Sequence, residues 1–296
     1  MEDQSFQARM CVKNPELMQL YSYPTPNGVK VAAALEEIVE LKTLTAKASL
    51  PETSPNAAAG SEEERIVLYE PHAVNIRSAE NRLKWFCHIG FKNHKIPGLI
   101  DPACTCTPEE RERCIQAHSC ASGGIPTPGS MDPLPGSCFK CRVAIFESGA
   151  ILTYLSEKYD ELMPRDKLMR IATTNWLFYG STMVSTHFKL FGFYYKYCSH
   201  GIPYCVERYT REVHQELKQM DYQLRHGKHW IVGDAYTVAD ISMWPWVHAL
   251  FVNYDNAGEV VFDMQTLYPS VFAWYTRCLA RPASKRALEV CHINFD

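Results

Sequence analysis

The sequence predicts an α/β part followed by an all-helical part. Strand-like apolar stretches alternate with helical patterns as far as about residue 160, whereas the sequence after Met163 shows only helical patterns. The longest of these patterns spaces its apolar residues by three or four positions, at Val206, Tyr209, Val213, Leu217, Met220 and Leu224. We therefore expect an extension over residues 1–16, a domain with one mixed sheet over 17–160, and a helical domain over 165–296.

The α/β part contains three clear strand signals, at Met18–Tyr23, Arg65–Pro71 and Cys141–Phe146. Helical patterns follow the first strand, with Val31, Ala34, Leu35 and Ile38 on one face, and the last strand, with a helix beginning at Ser148. A short helix is predicted within Ser78–Phe86. Pro97 interrupts the apolar stretch His94–Asp101, so an ordinary central strand is not expected there.

Two segments of the α/β part lack such periodicity and are predicted to be insertions, at about 43–65 and 103–140. In the helical part, the segment Tyr236–Val247 begins with a capping box formed by Thr237 and Asp240. Pro245 is expected to bend the helix that follows.

The composition excludes several classes of protein. With 46% hydrophobic and 12% aromatic residues the chain can bury a large core. The net charge of -3 gives no basic excess for nucleic acid or an anionic membrane, and no apolar run approaches the roughly 18 residues of a membrane span. The start has no secretory signal, so we expect a cytoplasmic protein whose twelve cysteines are thiols, metal ligands or redox groups.

Five segments in this order carry a family resemblance: LYSYPTPNGVKVAAALEE, HKIPGL, FESGAILTYLSEKY, NWLFYG and VGDAYTVADISMWPW. They resemble the cytosolic glutathione transferases, specifically the nu class and the related yeast nitrogen-regulator-like group. Once the two insertions are removed, the resemblance covers residues 20–282. It implies a thioredoxin-like domain that binds glutathione, a helical C-terminal domain, and a homodimer.

The turn Thr25-Pro26-Asn27-Gly28 is the candidate catalytic element. Read from the residues alone, Thr25 and Asn27 only turn the chain and cap the helix. The resemblance places the glutathione sulfur against these two side chains, where an O–H and an N–H donor would stabilise the thiolate. Tyr23 is a rival activator, together with Tyr21 on the same strand face. No cysteine occupies the turn, so the ligand's thiolate is expected to do the chemistry.

The resemblance implies four further contacts with glutathione. Read from the residues alone, Ser148 is a simple helix cap; with the resemblance, Ser148 at a helix start suits the γ-glutamyl carboxylate, and Glu147 suits the γ-glutamyl ammonium. The bond Ile96–Pro97 is expected to be cis, with the Ile96 main chain pairing with the cysteinyl unit. Lys95 is the candidate partner of the glycine carboxylate, in a loop that departs from the family pattern.

A small electrophile or disulfide is the expected second substrate. Its candidate lining includes Tyr179 and Trp244, although aromatic residues at helical spacing more often belong to a core. Arg208 is a candidate partner for a second carboxylate, or else a solvated or interface residue.

The second insertion is rich in cysteine. Its CxC and CxxC pairs are Cys104, Cys106, Cys138 and Cys141. Four thiolates can close a tetrahedral zinc site, but the spacing matches no zinc module that we recognise, and a redox dithiol or unliganded thiols remain open. The chain is thus predicted to be a glutathione transferase or glutathione-dependent disulfide reductase. The alternative is a non-catalytic glutathione-binding regulatory protein that contacts partners through this insertion.

Overall fold

The computed structural model describes residues 12–14, 16–48, 65–102, 109, 113, 143–225 and 227–292. The elements in chain order are β1 (Met18–Ser22), α1 (Pro26–Ala48), β2 (Tyr69–Ala73), α2 (Lys84–His88), β3 (Gly98–Asp101), β4 (Val143–Phe146), α3 (Ser148–Tyr159), α4 (Lys167–Tyr179), α5 (Ser185–Gly192), α6 (Pro203–Leu224), α7 (Val238–Val252), α8 (Ala257–Val260), α9 (Met264–Leu267), α10 (Pro269–Ala280) and α11 (Pro282–Glu289).

The chain forms two compact units. The sheet unit comprises Met1–Tyr23, Ala58–Glu147 and Cys291–Asp296, and the helical unit comprises Pro24–Ala57 and Ser148–Val290. The helices α1 and α3 therefore group with the later helices, although they lie within the sequence range predicted for the α/β domain. The domain boundary expected near residue 160 stays a prediction.

The sheet unit contains one mixed sheet with the strand order β2-β1-β3-β4. The strand β1 pairs in parallel with β2 and antiparallel with β3, and β3 pairs antiparallel with β4. The expectation that His94–Asp101 holds no ordinary central strand is wrong, because β3 lies between β1 and β4. The strand begins at Gly98, so Pro97 precedes the ladder and removes no hydrogen bond from it.

An aromatic cluster forms the core of the sheet unit. The ring of Tyr21 lies 5.7 Å from that of Phe91, and Phe91 lies 5.0 Å from Phe86. Gly98 touches this cluster closely: a Cβ atom there would come within 2.4 Å of the Phe91 ring. The start of β3, next to Pro97, is thereby held against the core.

In the helical unit, α1 packs against α3, α7 and α11. Two arginines of the C-terminal segment form ion pairs with glutamates of α1. Arg281 binds the buried carboxylate of Glu37 with two hydrogen bonds of 2.5 and 2.6 Å, and Arg286 binds Glu36 at 2.7 Å. Bidentate arginine–carboxylate pairs fix geometry as well as adding attraction, so α1 has a defined orientation within its unit.

The helix α7 begins with the predicted capping box. The hydroxyl of Thr237 accepts a hydrogen bond from the Ala239 N–H, and Asp240 accepts one from the Thr237 N–H at 3.0 Å. Asp240 is fully buried and also accepts hydrogen bonds from Ile231 N–H and the Trp274 indole. Pro245 lies inside α7, and the bend expected there stays a prediction.

The segment between α4 and α6 is also helical. Two π-helical turns, Gly180–Val184 and Phe193–Tyr197, flank α5. At Gly180 the first of these turns lies so close to α7 that a Cβ atom would come within 2.1 Å of the Ser242 hydroxyl oxygen. Throughout the described ranges, every helix is too short or too polar to cross a bilayer.

Candidate functional site

The predicted catalytic turn lies at the N-terminus of α1 in the helical unit. The Thr25 carbonyl accepts the first helical hydrogen bond, from the Val29 N–H at 2.8 Å, and its hydroxyl oxygen accepts from the Gly28 N–H at 3.3 Å. Thr25 therefore caps the helix, as the simpler interpretation expected. Because the cap uses the hydroxyl only as an acceptor, the O–H remains available as a donor to a bound anion.

Asn27, in the first turn of α1, is oriented by a side chain from α7. The indole Nε1–H of Trp246 donates a hydrogen bond of 3.3 Å to Asn27 Oδ1. An indole N–H can only donate, so the carboxamide oxygen must face Trp246 and the amide NH₂ must face away from it. Asn27 is only partly buried, whereas Trp246 is buried. The acceptor atom of each candidate side chain is thus engaged within the helical unit.

Ser148 is the first residue of α3, where the helix dipole and unpaired N–H groups favour an anion. Its side chain is buried. The next residue, Gly149, touches the helical segment that follows α4: a Cβ atom there would lie 2.8 Å from the Ser181 hydroxyl oxygen. A side chain directly after Ser148 would therefore have to displace the Ser181 hydroxyl, so the start of α3 favours the serine–glycine pair of the sequence.

The other predicted glutathione contacts lie in the sheet unit, in the loop before β3 and at the end of β4. The Ile96–Pro97 bond is cis, as the resemblance implied. Asn93 links this loop to Glu147: its amide donates to Glu147 Oε1 at 3.1 Å, and its carbonyl oxygen accepts from the Lys95 N–H at 3.2 Å. Glu147 is exposed and has the left-handed φ of 70°, an unusual conformation for a glutamate.

The candidate residues for the second substrate have different environments within the helical unit. The Tyr179 hydroxyl donates to the buried carboxylate of Glu216, which also contacts His187 Nδ1 at 2.9 Å. Burial, reinforced by this hydrogen bond, raises the pKa of Tyr179 and keeps its phenol protonated.

Two further candidates for the second substrate are Trp244 and Arg208. Trp244 has no exposed surface, which favours the core interpretation. Arg208 is half exposed and lies 3.9 Å from Glu212. Their contacts with a substrate, like those of Tyr179, stay predictions.

Residues 203–277 match the family model described as the glutathione S-transferase C-terminal domain. Among solved structures, the chain is similar to a glutathione transferase family member from Pseudomonas fluorescens with two glutathione bound. The TM-score is 0.70 and the identity 30%, over 97% of this chain and 98% of that one. This chain belongs to the glutathione transferase family. The expected architecture, a thioredoxin-like mixed sheet with a helical C-terminal domain, is confirmed.

Two curated relatives of this chain come from Escherichia coli. The disulfide-bond oxidoreductase YghU is 30% identical over 279 residues, covering 94% of this chain and 76% of its own length. The disulfide-bond oxidoreductase YfcG is 28% identical over 278 residues, covering 92% of this chain and 94% of its own. Both similarities extend over nearly the whole of this chain rather than over one domain.

Three residues that the sequence did not single out shape the candidate sites of this chain: Asn93, Trp246 and Glu216. Each is a partner of a predicted residue, and only spatial proximity reveals it. Tyr23, the rival activator, is buried directly after β1, and its activating role stays a prediction.

The predicted zinc ligands Cys104, Cys106, Cys138 and Cys141 lie outside the described residues. Within the described part of the chain, no group of three or more His, Cys, Asp or Glu residues could hold a metal ion. The described cysteines are all free thiols.

Proposed function

We propose that this glutathione transferase reduces disulfides or conjugates electrophiles with a bound glutathione whose thiolate is stabilised by Thr25 and Asn27. The observation that carries the proposal is the state of these two side chains: each has its acceptor oxygen occupied by an N–H donor and its own hydrogens available. A pair of donors beside a helix N-terminus is suited to a thiolate.

The free energy available from two such hydrogen-bond donors is enough to stabilise the thiolate. Lowering the thiol pKa from about 8.5 by about two requires about 2.7 kcal/mol of preferential thiolate stabilisation. A hydrogen bond to a charged partner contributes about 1.5–3 kcal/mol. Two donors are therefore enough to make most of the bound glutathione reactive at neutral pH.

Of the two reactions, disulfide reduction has the stronger support, because two relatives that match nearly the whole chain are disulfide-bond oxidoreductases. In this reaction the glutathione thiolate attacks one sulfur of the substrate disulfide. A mixed disulfide forms and the other sulfur leaves as a thiolate that takes up a proton. A second glutathione then attacks the mixed disulfide, giving glutathione disulfide and the second substrate thiol.

The remaining contacts with glutathione follow the resemblance. We assign the γ-glutamyl carboxylate to Ser148, the ammonium to Glu147, the cysteinyl main chain to Ile96 beside Pro97, and the glycine carboxylate to Lys95. Nu-class membership, a cytoplasmic location and a homodimer belong to the same proposal.

The test is the glutathione-dependent reduction of hydroxyethyl disulfide by purified protein. Thr25→Ala and Asn27→Ala should each lower the rate about tenfold or more, by losing one donor to the thiolate. Thr25→Ser keeps both the cap and the O–H, so its rate should stay near that of the wild type. Thr45→Ala, the same change in the last turns of α1, serves as the control for helix stability.

Ser148→Ala should instead weaken binding to immobilised glutathione, because Ser148 is assigned to the γ-glutamyl group. A wild-type rate no higher than those of Thr25→Ala and Asn27→Ala would overturn the enzymatic proposal. If glutathione still bound, that result would favour the non-catalytic binding protein considered from the sequence.

A further inference from the structure

Asn27 can assist a thiolate only in one of its two amide orientations. With the NH₂ toward the sulfur it donates hydrogen bonds, whereas with the oxygen toward the sulfur it repels the negative charge. A partly buried asparagine whose carboxamide has no fixed partner samples both orientations, so a site that depends on the donor needs a group that selects it. The inference below rests on the proposed function and concerns that selection.

Trp246 is the group that makes the selection. Its indole N–H lies 3.3 Å from Asn27 Oδ1. If the carboxamide turned over, the NH₂ would face another donor, and the buried indole N–H would lose its acceptor. Leaving a buried donor unpaired costs about 1–3 kcal/mol. The N–H of Trp246 therefore discriminates between the two orientations by at least about fivefold.

The indole itself is firmly held. Trp246 is 3% exposed, and the Lys30 ammonium lies 5.9 Å from its ring centroid. Lys30, one turn after Asn27 on α1, donates at 2.7 Å to the Ser185 hydroxyl. One turn before Trp246 on α7, Ser242 lies against Gly180, where no side chain would fit. These contacts leave the ring little freedom to follow a turned carboxamide.

We propose that Trp246 is a positioning residue that fixes the Asn27 carboxamide with its NH₂ group, rather than its oxygen, directed to the glutathione sulfur. Trp246 has no contact with the sulfur in this arrangement, so it acts on the thiolate only through Asn27. This separates it from a tryptophan that merely fills the core between α1 and α7.

The decisive experiment is a double-mutant cycle on the thiol pKa of bound glutathione, measured from the ultraviolet absorbance of the thiolate as a function of pH. Trp246→Phe keeps an aromatic ring and removes the N–H. It should raise the thiol pKa by about 0.5–1, which is about a three- to tenfold loss of thiolate below that pKa. In an Asn27→Ala background, which should itself have a raised pKa, the same change should add nothing.

Two outcomes would overturn the inference: a wild-type thiol pKa in Trp246→Phe, or an equal rise in the presence and absence of Asn27. If Asn27→Ala itself left the thiol pKa unchanged, the proposed role of Asn27 would fail and the inference with it. The single variants therefore distinguish failure of the inference from failure of the proposed function. Thermal midpoints of all variants report any structural damage separately.

A second measurement does not require the Trp246 variant to fold. In ¹⁵N-labelled wild-type protein, adding glutathione should shift the indole N–H resonance of Trp246, because a thiolate bound to the amide of Asn27 polarises its carbonyl oxygen. The shift should be absent in Asn27→Ala. An indole resonance that does not respond to glutathione in the wild type would contradict the proposal.

Discussion

Lys30 gives the sharpest prediction about stability. It is fully buried in α1, and its ammonium donates a single hydrogen bond to a neutral partner, the hydroxyl of Ser185. Desolvation lowers the pKa of Lys30 from 10.5 to about 7. Burial of Lys30 therefore destabilises the folded state at every pH at which this lysine is protonated in the unfolded chain.

The magnitude follows from the two pKa values. A difference of about 3.5 corresponds to about 5 kcal/mol at or below about pH 7. Lys30→Met keeps an unbranched stem of four atoms and removes the ammonium, at the loss of one hydrogen bond worth about 1 kcal/mol and of a cation–π contact worth about 1 kcal/mol. The variant should therefore be more stable than the wild type by about 3 kcal/mol at pH 7.

The sign of the pH dependence is also fixed. Between about pH 7 and 10.5 the unfolded chain binds a proton at Lys30 that the folded chain does not. The stability of the wild type therefore rises relative to Lys30→Met by up to about 1.4 kcal/mol per pH unit in this window, and the advantage of the variant disappears toward its upper end. Buried tyrosines and cysteines titrate equally in both proteins, so the difference isolates Lys30.

The assay is urea unfolding of both proteins at several pH values from about 7 to about 10. Lys42→Met is the matched control on the same helix: its ammonium is about one-third exposed and lies 3.4 Å from Glu161. Its difference from the wild type should stay nearly flat over this range. A difference between Lys30→Met and the wild type that is equally flat would refute the reasoning.

Three further predictions concern other contacts. Asn93→Ala should weaken glutathione binding several-fold and change kcat little, because it removes the hydrogen bond that holds Glu147 to the loop before β3. An unchanged affinity for glutathione in calorimetry would contradict this. Glu37→Gln should cost about 2–4 kcal/mol in urea unfolding, because it leaves the Arg281 guanidinium without its bidentate partner; a loss below about 0.5 kcal/mol would show that the pair is screened. Thr237→Ala should lower the unfolding free energy by about 1 kcal/mol through loss of the α7 cap, whereas Thr237→Ser should restore most of it.

Regular periodicity predicted the helices well. The helix expected to begin at Ser148 runs from Ser148 to Tyr159, and the six spaced apolar residues from Val206 to Leu224 lie on a single helix, Pro203–Leu224. In both cases the local pattern and the tertiary packing demand the same face, so the sequence alone is enough.

Short strands were predicted less well. The strand expected at Arg65–Pro71 is found at Tyr69–Ala73, and the stretch after Pro97 is a central strand. Four- and five-residue strands carry too few residues for the alternation to fix their ends, so pairing with β1 decides them. A proline excludes a central strand only where its N–H would be needed, and that depends on the register with the neighbours.

The sequence by itself determined which chemical groups stand at each helix start: a hydroxyl and a carboxamide at α1, and a serine–glycine pair at α3. These groups lie in helix caps and turns, which are formed by residues that are close together in the chain. Only the tertiary structure decided which atoms of those groups remain available. The carboxamide of Asn27 is oriented by Trp246, 219 residues away, and the ammonium of Lys30 is bound by Ser185, 155 residues away. No local pattern contains such pairs, because they exist only once α1 has packed into the helical unit.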